Sequence, residues 1–175
     1  MIGCDCEVCT SDDPRDRRTR PSIFVRVGGC HFLVDAAPEL RLQCLANNIK
    51  RLDAVLFTHH HADHVMGLDD LRRFNWIMKR KIPCYGSQQT VTALQRMFSY
   101  AFDPKPGSPH SSPQLELHAI DLQPFAIGGA TIIPIPLTPN NELIPKMWHG
   151  FATRAFHRLK TGATRVNGTG SIPRF

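Results

Sequence analysis

Apolar and polar positions alternate along most of this chain with two different periods, and the switches between them outline the elements. Ser22 to Val27 and Cys30 to Val34 alternate every second residue around Gly28-Gly29, which predicts a hairpin. Asp53 to Phe57, Ile82 to Tyr85, Leu115 to Ile120, Pro124 to Ile127 and Thr131 to Leu137 read as further strands, with Gly128-Gly129 turning a second hairpin. Three stretches have a helical period. One starts at Pro38 and places Leu40, Cys44 and Leu45 on one face. The second runs from Gly67 to Lys81, with Leu68, Leu71, Phe74 and Met78 as its buried stripe and Trp76 as further packing. The third runs to Tyr100 from Ser87, a suitable N-cap. Residues 103–113 are rich in Pro, Gly and Ser and read as a loop that leaves His110 exposed; His118 alternates with apolar neighbours on a strand face.

Between the strand that ends at Phe57 and the helix that begins at Gly67 stands Thr58-His59-His60-His61-Ala62-Asp63-His64. The imidazoles and the carboxylate fall on a short strand-to-helix loop, where a rigid scaffold can hold binding groups. Neutral imidazole suits zinc, iron and related ions, and carboxylate adds charge and hardness. Neighbours in an extended loop point to opposite sides, so His59 and His61 can converge on one ion, and Asp63 and His64 on a second. Two such ions about 3.5–4 Å apart can activate water and steady an in-line displacement at phosphorus. The bland alternative is a His-rich surface loop. The strand before, the glycine after and the spacing together favour a site.

The run THHHADH resembles the His-x-His-x-Asp-His signature of the metallo-β-lactamase superfamily. The resemblance implies an α+β fold, an αββα sandwich, and a dinuclear hydrolase site. In that pattern His59 and His61 bind the first metal and Asp63 and His64 the second. Asp63 is then also the catalytic residue that orients the nucleophile, and His60 is left solvated or beside the ligands. Asp35, at the end of the second strand, would support the metal loop by hydrogen bonding rather than by binding an ion; the alternative is an Asp that merely ends a strand.

Cys4, Cys6 and Cys9 form Cys-x-Cys-x-x-Cys ahead of a charge-mixed loop. Three thiolates this close can bind one zinc given a fourth ligand; otherwise they are free thiols in a flexible terminus. The stretch GCDCEVCTSDDPRDRRTRPS, with LVDAAPELRLQ and THHHADHVMGLDDLR, resembles one branch of the superfamily. That branch contains the phosphoribosyl cyclic phosphodiesterase of phosphonate breakdown. The likeness covers roughly residues 3 to 138 and implies a structural zinc at the cysteines, completed by a distant His. The implied cofactors are thus Zn2+ at the catalytic pair of sites, with Mn2+ as the alternative there, and one Zn2+ at the cysteines. Cys30 and Cys44 read as core packing.

With 175 residues the chain suits one domain with a moderate core. No stretch approaches the roughly 20 apolar residues of a membrane span, so no membrane partner is expected. No signal peptide opens the chain, and the cysteine use fits a reducing, cytoplasmic compartment. Net charge is +6. Six of the 21 Lys and Arg residues, and none of the 15 Asp and Glu, lie from Leu143 onward, which leaves 15 of each sign before it. A balanced body argues against nucleic acid; the family likeness implies a small phosphodiester substrate.

The family likeness breaks at Pro139, where the superfamily's third ligand for the first metal is expected. A bridging carboxylate expected further on is missing after Glu142, and His149 and His157 stand in neither expected context. The expected organisation is therefore an incomplete metallo-β-lactamase domain over 1–138 and a divergent basic tail over 139–175, with a first strand missing at the start. Uncovered apolar strand faces would favour a homodimer. The activity expected is metal-dependent phosphodiester hydrolysis of the cyclic-phosphate type, weak or lost in this chain. The alternatives are an RNA-processing nuclease of the same superfamily and a non-catalytic metal-binding remnant.

Overall fold

The computed structural model describes residues 2–103 and 112–135. Five strands form one sheet in the order β1 (Ile23–Val27), β2 (Cys30–Val34), β3 (Ala54–Leu56), β4 (Ile82–Gly86) and β5 (Leu115–Ala119). β1 and β2 pair antiparallel and the remaining neighbours pair parallel. A separate two-stranded ribbon joins β6 (Phe125–Ile127) to β7 (Ala130–Ile132). Gly28 and Gly29 both have positive φ, 58° and 74°, the requirement of a tight hairpin turn. A Cβ on Gly28 would lie 2.7 Å from the Gly129 carbonyl oxygen, so the turns of the two hairpins touch.

Strand alternation divides the core in two. Leu33, Val55, Ile82, Cys84 and Leu115 face the helices and pack with Leu40, Leu68, Leu71, Phe74, Leu94 and Phe98. Phe32, Val34, Ala54 and Leu56 face the other way and pack on Ile127, Ala130 and Ile132. Helices thus cover one sheet face and the β6–β7 ribbon the other, which gives the α/β/β order of the metallo-β-lactamase sandwich.

The helices are shorter than the apolar pattern suggests. α1 spans Leu40–Ala46 and α2 is a single turn, Ala62–Val65. A 3-10 turn, Leu68–Leu71, precedes α3, Arg72–Met78. α4 spans Gln88–Met97 and α5 Ser99–Phe102, broken at Phe98. The expected single helix from Gly67 to Lys81 stops at Met78 because Lys79 turns left-handed, φ 56°. Buried Asn75 fixes that stop: its amide donates to the Arg80 and Gln114 carbonyls at 2.9 and 2.8 Å, and its oxygen accepts from the Gln114 N–H at 3.0 Å. The stripe itself is as expected, with Leu68, Leu71 and Phe74 buried.

Two side chains expected to pack do not. Leu45 is 65% exposed, and buried Gln43 takes the inward position, its amide donating to Thr19 Oγ1 and the Arg20 carbonyl. Trp76 is exposed, with Arg73 and Lys79 over its ring. Ser87 does cap α4, accepting from the Thr90 N–H at 3.2 Å. His110, Pro139, His149, His157 and the end of the seventh expected strand lie outside the described residues.

Candidate metal centre

β3 is buried throughout, and the chain leaves it at the carboxyl edge of the sheet, where open α/β sheets place their ligands. Thr58 to His61 are not helical, and Ala62–Val65 then makes one helical turn capped by His61 in extended conformation. His59 and His61 therefore come off a non-helical segment, while Asp63 and His64 ride the turn. The ring centroids of His59 and His61 are 4.7 Å apart, and those of His59 and His64 are 4.0 Å apart. Asp63 Oδ2 lies 3.4 Å from His64 Nε2. His59 thus lies against both His64 and His61, with Asp63 beside His64; among the described residues only the cysteines bring three ligand atoms within 4.8 Å of one another. His60 stands beside His61 at 5.7 Å between centroids.

Asp35 holds this loop from behind. It ends β2 with φ 61°, a conformation unusual for a non-glycine residue, though tolerated best by Asp and Asn. Its Oδ1 accepts from the Thr58 N–H at 2.8 Å, and its Oδ2 accepts from the Thr58 hydroxyl at 2.7 Å and faces His64 Nδ1 at 2.7 Å. The backbone adds two ties: the Ala36 N–H donates to the His64 carbonyl and the Gly67 N–H to the Ala36 carbonyl. With Nδ1 of His64 occupied by Asp35, Nε2 is the atom left to bind, and it faces Asp63. The hydrogen bond to Asp35 raises the His64 pKa; burial opposes it, and the charges of Asp35 and Asp63 add to the rise. Thr58 Oγ1 also lies 3.0 Å from His59 Nδ1. Thr58 has no part in the ligand signature, and its position directly before the His run was the one signal of its role.

Imidazole nitrogens and a carboxylate are donor types that divalent metals take, and Thr58 and Asp35 already orient the His59 and His64 rings.

At the amino end, Cys4, Cys6 and Cys9 do come together, with ligand atoms within 4.8 Å of one another. The Cys9 backbone N–H and the Cys4 and Cys9 thiols lower Cys6 to about 7, close to the thiolate that metals bind. Burial pushes Cys44 up to about 11 and Cys84 higher still, which suits packing rather than chemistry.

A family model described as a beta-lactamase superfamily domain matches residues 31–161. A solved diphosphatase of the PhnP family is 40% identical, with a TM-score of 0.68 over 78% of this chain and 51% of that one. Ribonuclease Z of Mycobacterium sp. strain KMS is 37% identical over 94 residues, covering 49% of this chain and 33% of that protein. A Porphyromonas gingivalis protein described as octanoyltransferase is 38% identical over 138 residues, covering 77% of this chain and 27% of that protein. Zn2+-bound PqqB of Methylobacterium extorquens, 22% identical with a TM-score of 0.51 over 75% of this chain and 45% of that one, shares the fold. The chain spans about half the length of the diphosphatase and less of the two sequence relatives.

Fold and sequence agree on the family. The chain belongs to the metallo-β-lactamase superfamily, in the branch of the PhnP-family diphosphatase.

Proposed function

We propose that this domain serves hydrolysis of a phosphodiester, of the cyclic-phosphate type, at the loop from His59 to His64. The observation that carries the reading is the gathering of His59, His61, Asp63 and His64 at the carboxyl edge, braced by the buried Asp35 carboxylate. His59 and His61 would hold one divalent ion, and Asp63 and His64 a second, with Zn2+ first and Mn2+ as the alternative. Bound there, such ions polarise a phosphoryl oxygen and make water acidic enough to attack near neutral pH. The residues supply the rest. Asp35 and Thr58 hold His64 and His59 so that the loop is formed before substrate arrives. Asp63, half exposed beside His64 Nε2, accepts a hydrogen bond from the attacking water and aims it. The 40% identity to a diphosphatase supports chemistry at phosphorus. Cys4, Cys6 and Cys9 would hold a structural Zn2+ with a fourth ligand.

Ribonuclease Z relatives favour a second reading, RNA processing by the same loop. The two separate by substrate. Metal content by elemental analysis is paired with turnover of bis-p-nitrophenyl phosphate, a ribose cyclic phosphate and a precursor transfer RNA. About two ions beyond the one at the cysteines, and a loss of about 100-fold or more in Asp63→Asn, are expected. A single ion per chain, held by the cysteines, with no turnover would mean a metal-binding remnant.

A further inference from the structure

The amino edge of the five-stranded sheet, at the far end of the strands from the ligand loop, is crowded with cations. Asp53, just before β3, is buried and is shared by Arg51 and Arg80, whose guanidiniums lie 3.0 and 2.5 Å from its Oδ1. Its Oδ2 accepts from the His31 N–H at 2.9 Å, and His31 is paired in register with Arg26. Lys50 precedes Arg51, and Lys79 and Lys81 flank Arg80 just before β4 begins; all three lysines are exposed. Arg26, Lys50, Arg51, Lys79, Arg80 and Lys81 thus share one edge with two carboxylates, Asp53 and Glu116, the latter beside Pro83 in the next strand. Beside them, Trp76 is 46% exposed, with Arg73 and Lys79 4.3 and 4.6 Å from its ring.

The even charge of residues 1–142 conceals this segregation, because a sum over sequence says nothing about placement. About four net positive charges on one exposed edge form an electrostatic footprint for a chain of phosphates, and the exposed Trp76 indole offers a face for a base once the flexible Arg73 and Lys79 side chains over it turn to phosphate. An acidic protein shares the charge complementarity, and competition by polyglutamate separates it from nucleic acid.

We propose that this edge binds single-stranded nucleic acid, its phosphates on Arg26, Lys50, Lys79 and Lys81 and a base against Trp76. The five residues of β4 separate it from the ligand loop by about 15 Å, so it is a site of its own and does not rest on the hydrolase reading.

The test is fluorescence anisotropy of a labelled 20-nucleotide oligouridylate with the full chain, at 50 and 200 mM KCl and without added divalent metal. Four neutralised phosphates give a log–log salt slope of about −2.8, so binding should weaken about 50-fold across that range. Lys50→Gln/Lys79→Gln/Lys81→Gln should weaken binding at least tenfold at 50 mM and flatten the slope by about 2. Trp76→Ala should cost about tenfold and Trp76→Phe little. Arg26→Gln/Lys50→Gln, at the other end of the edge, gives an independent reading should circular dichroism show the triple variant misfolded. Binding unchanged in these lysine and arginine variants would place it on the basic residues after Leu143 and overturn the proposal. So would polyglutamate competing as well as the oligonucleotide while Trp76→Ala binds like wild type, or no binding at 50 mM.

Discussion

Asp35 carries three contacts to the ligand loop from a left-handed backbone conformation that a non-glycine residue adopts at some cost. Asparagine tolerates that conformation and fills the same volume, so Asp35→Asn isolates the chemistry of the carboxylate. Its amide nitrogen cannot accept a hydrogen bond, so either the Thr58 N–H loses its acceptor or His64 Nδ1 becomes the acceptor, which moves the ring proton onto the Nε2 left for metal. Metal affinity at the loop should fall about 10- to 100-fold, read by competition with a chromophoric chelator, with the fold intact by circular dichroism. His31 makes a separate prediction. Burial, which outweighs the attraction of Asp53 and is joined by Arg51 and Arg26, lowers its pKa. The unfolded chain therefore takes up the His31 proton first as pH falls, and native stability declines below about pH 6.5. Replacing His31 by Gln should remove that part of the slope between pH 7 and 5 in urea melts; an unchanged slope would refute it. At Asp53, burial works to raise the pKa but the His31 N–H, Arg51 and Arg80 overcome it and hold the carboxylate low. Its contribution is present above about pH 4 and is lost as pH falls through the lowered value.

At the scale of elements, Gly67 shows why the chain can place a ligand loop so close to α1. A Cβ there would lie 2.0 Å from the Ala37 carbonyl oxygen and 2.8 Å from Leu40 Cβ. Gly67→Ala should destabilise by about 1–3 kcal/mol and loosen metal binding, because α1 and the loop must move apart. Thermal melts with and without Zn2+ check both effects. The buried stripe of Leu68, Leu71 and Phe74 was legible because helical periodicity reports which face is apolar. Where the helix ends was not, since the stop depends on Asn75 bonding Gln114, 39 residues away. Leu45 was misplaced for a related reason: periodicity allowed it inward, but Gln43 had partners in Thr19 and Arg20 that no local pattern reveals. Leu71→Ala should cost about 2–5 kcal/mol, and Leu45→Lys close to nothing, in chemical denaturation.

At the scale of the molecule, the ribbon β6–β7 covers part of the second sheet face and leaves apolar side chains beside it in contact with water. Leu122, Ile133 and Ile135 are 50%, 52% and 38% exposed, and β1 and β5 are the outer strands of the sheet. Pairing of two chains through this side would bury them, and the homodimer we propose should appear as concentration-dependent mass in light scattering. A constant monomer mass up to high micromolar concentration would refute it. None of the helices among the described residues is long and apolar enough to cross a membrane.

Local pattern alone determined where the strands run, the buried stripe of Leu68, Leu71 and Phe74 and the identity of the ligand-type residues at 59, 61, 63 and 64, because each depends on neighbours within a few positions. Tertiary structure decided what holds them: Asp35 reaching Thr58 and His64 across 23 and 29 residues, and Asn75 ending a helix from a distant strand. It also decided where charge gathers. Which end of a strand a lysine occupies depends on the order and direction of strands in the sheet, and those follow from packing between segments far apart in the chain.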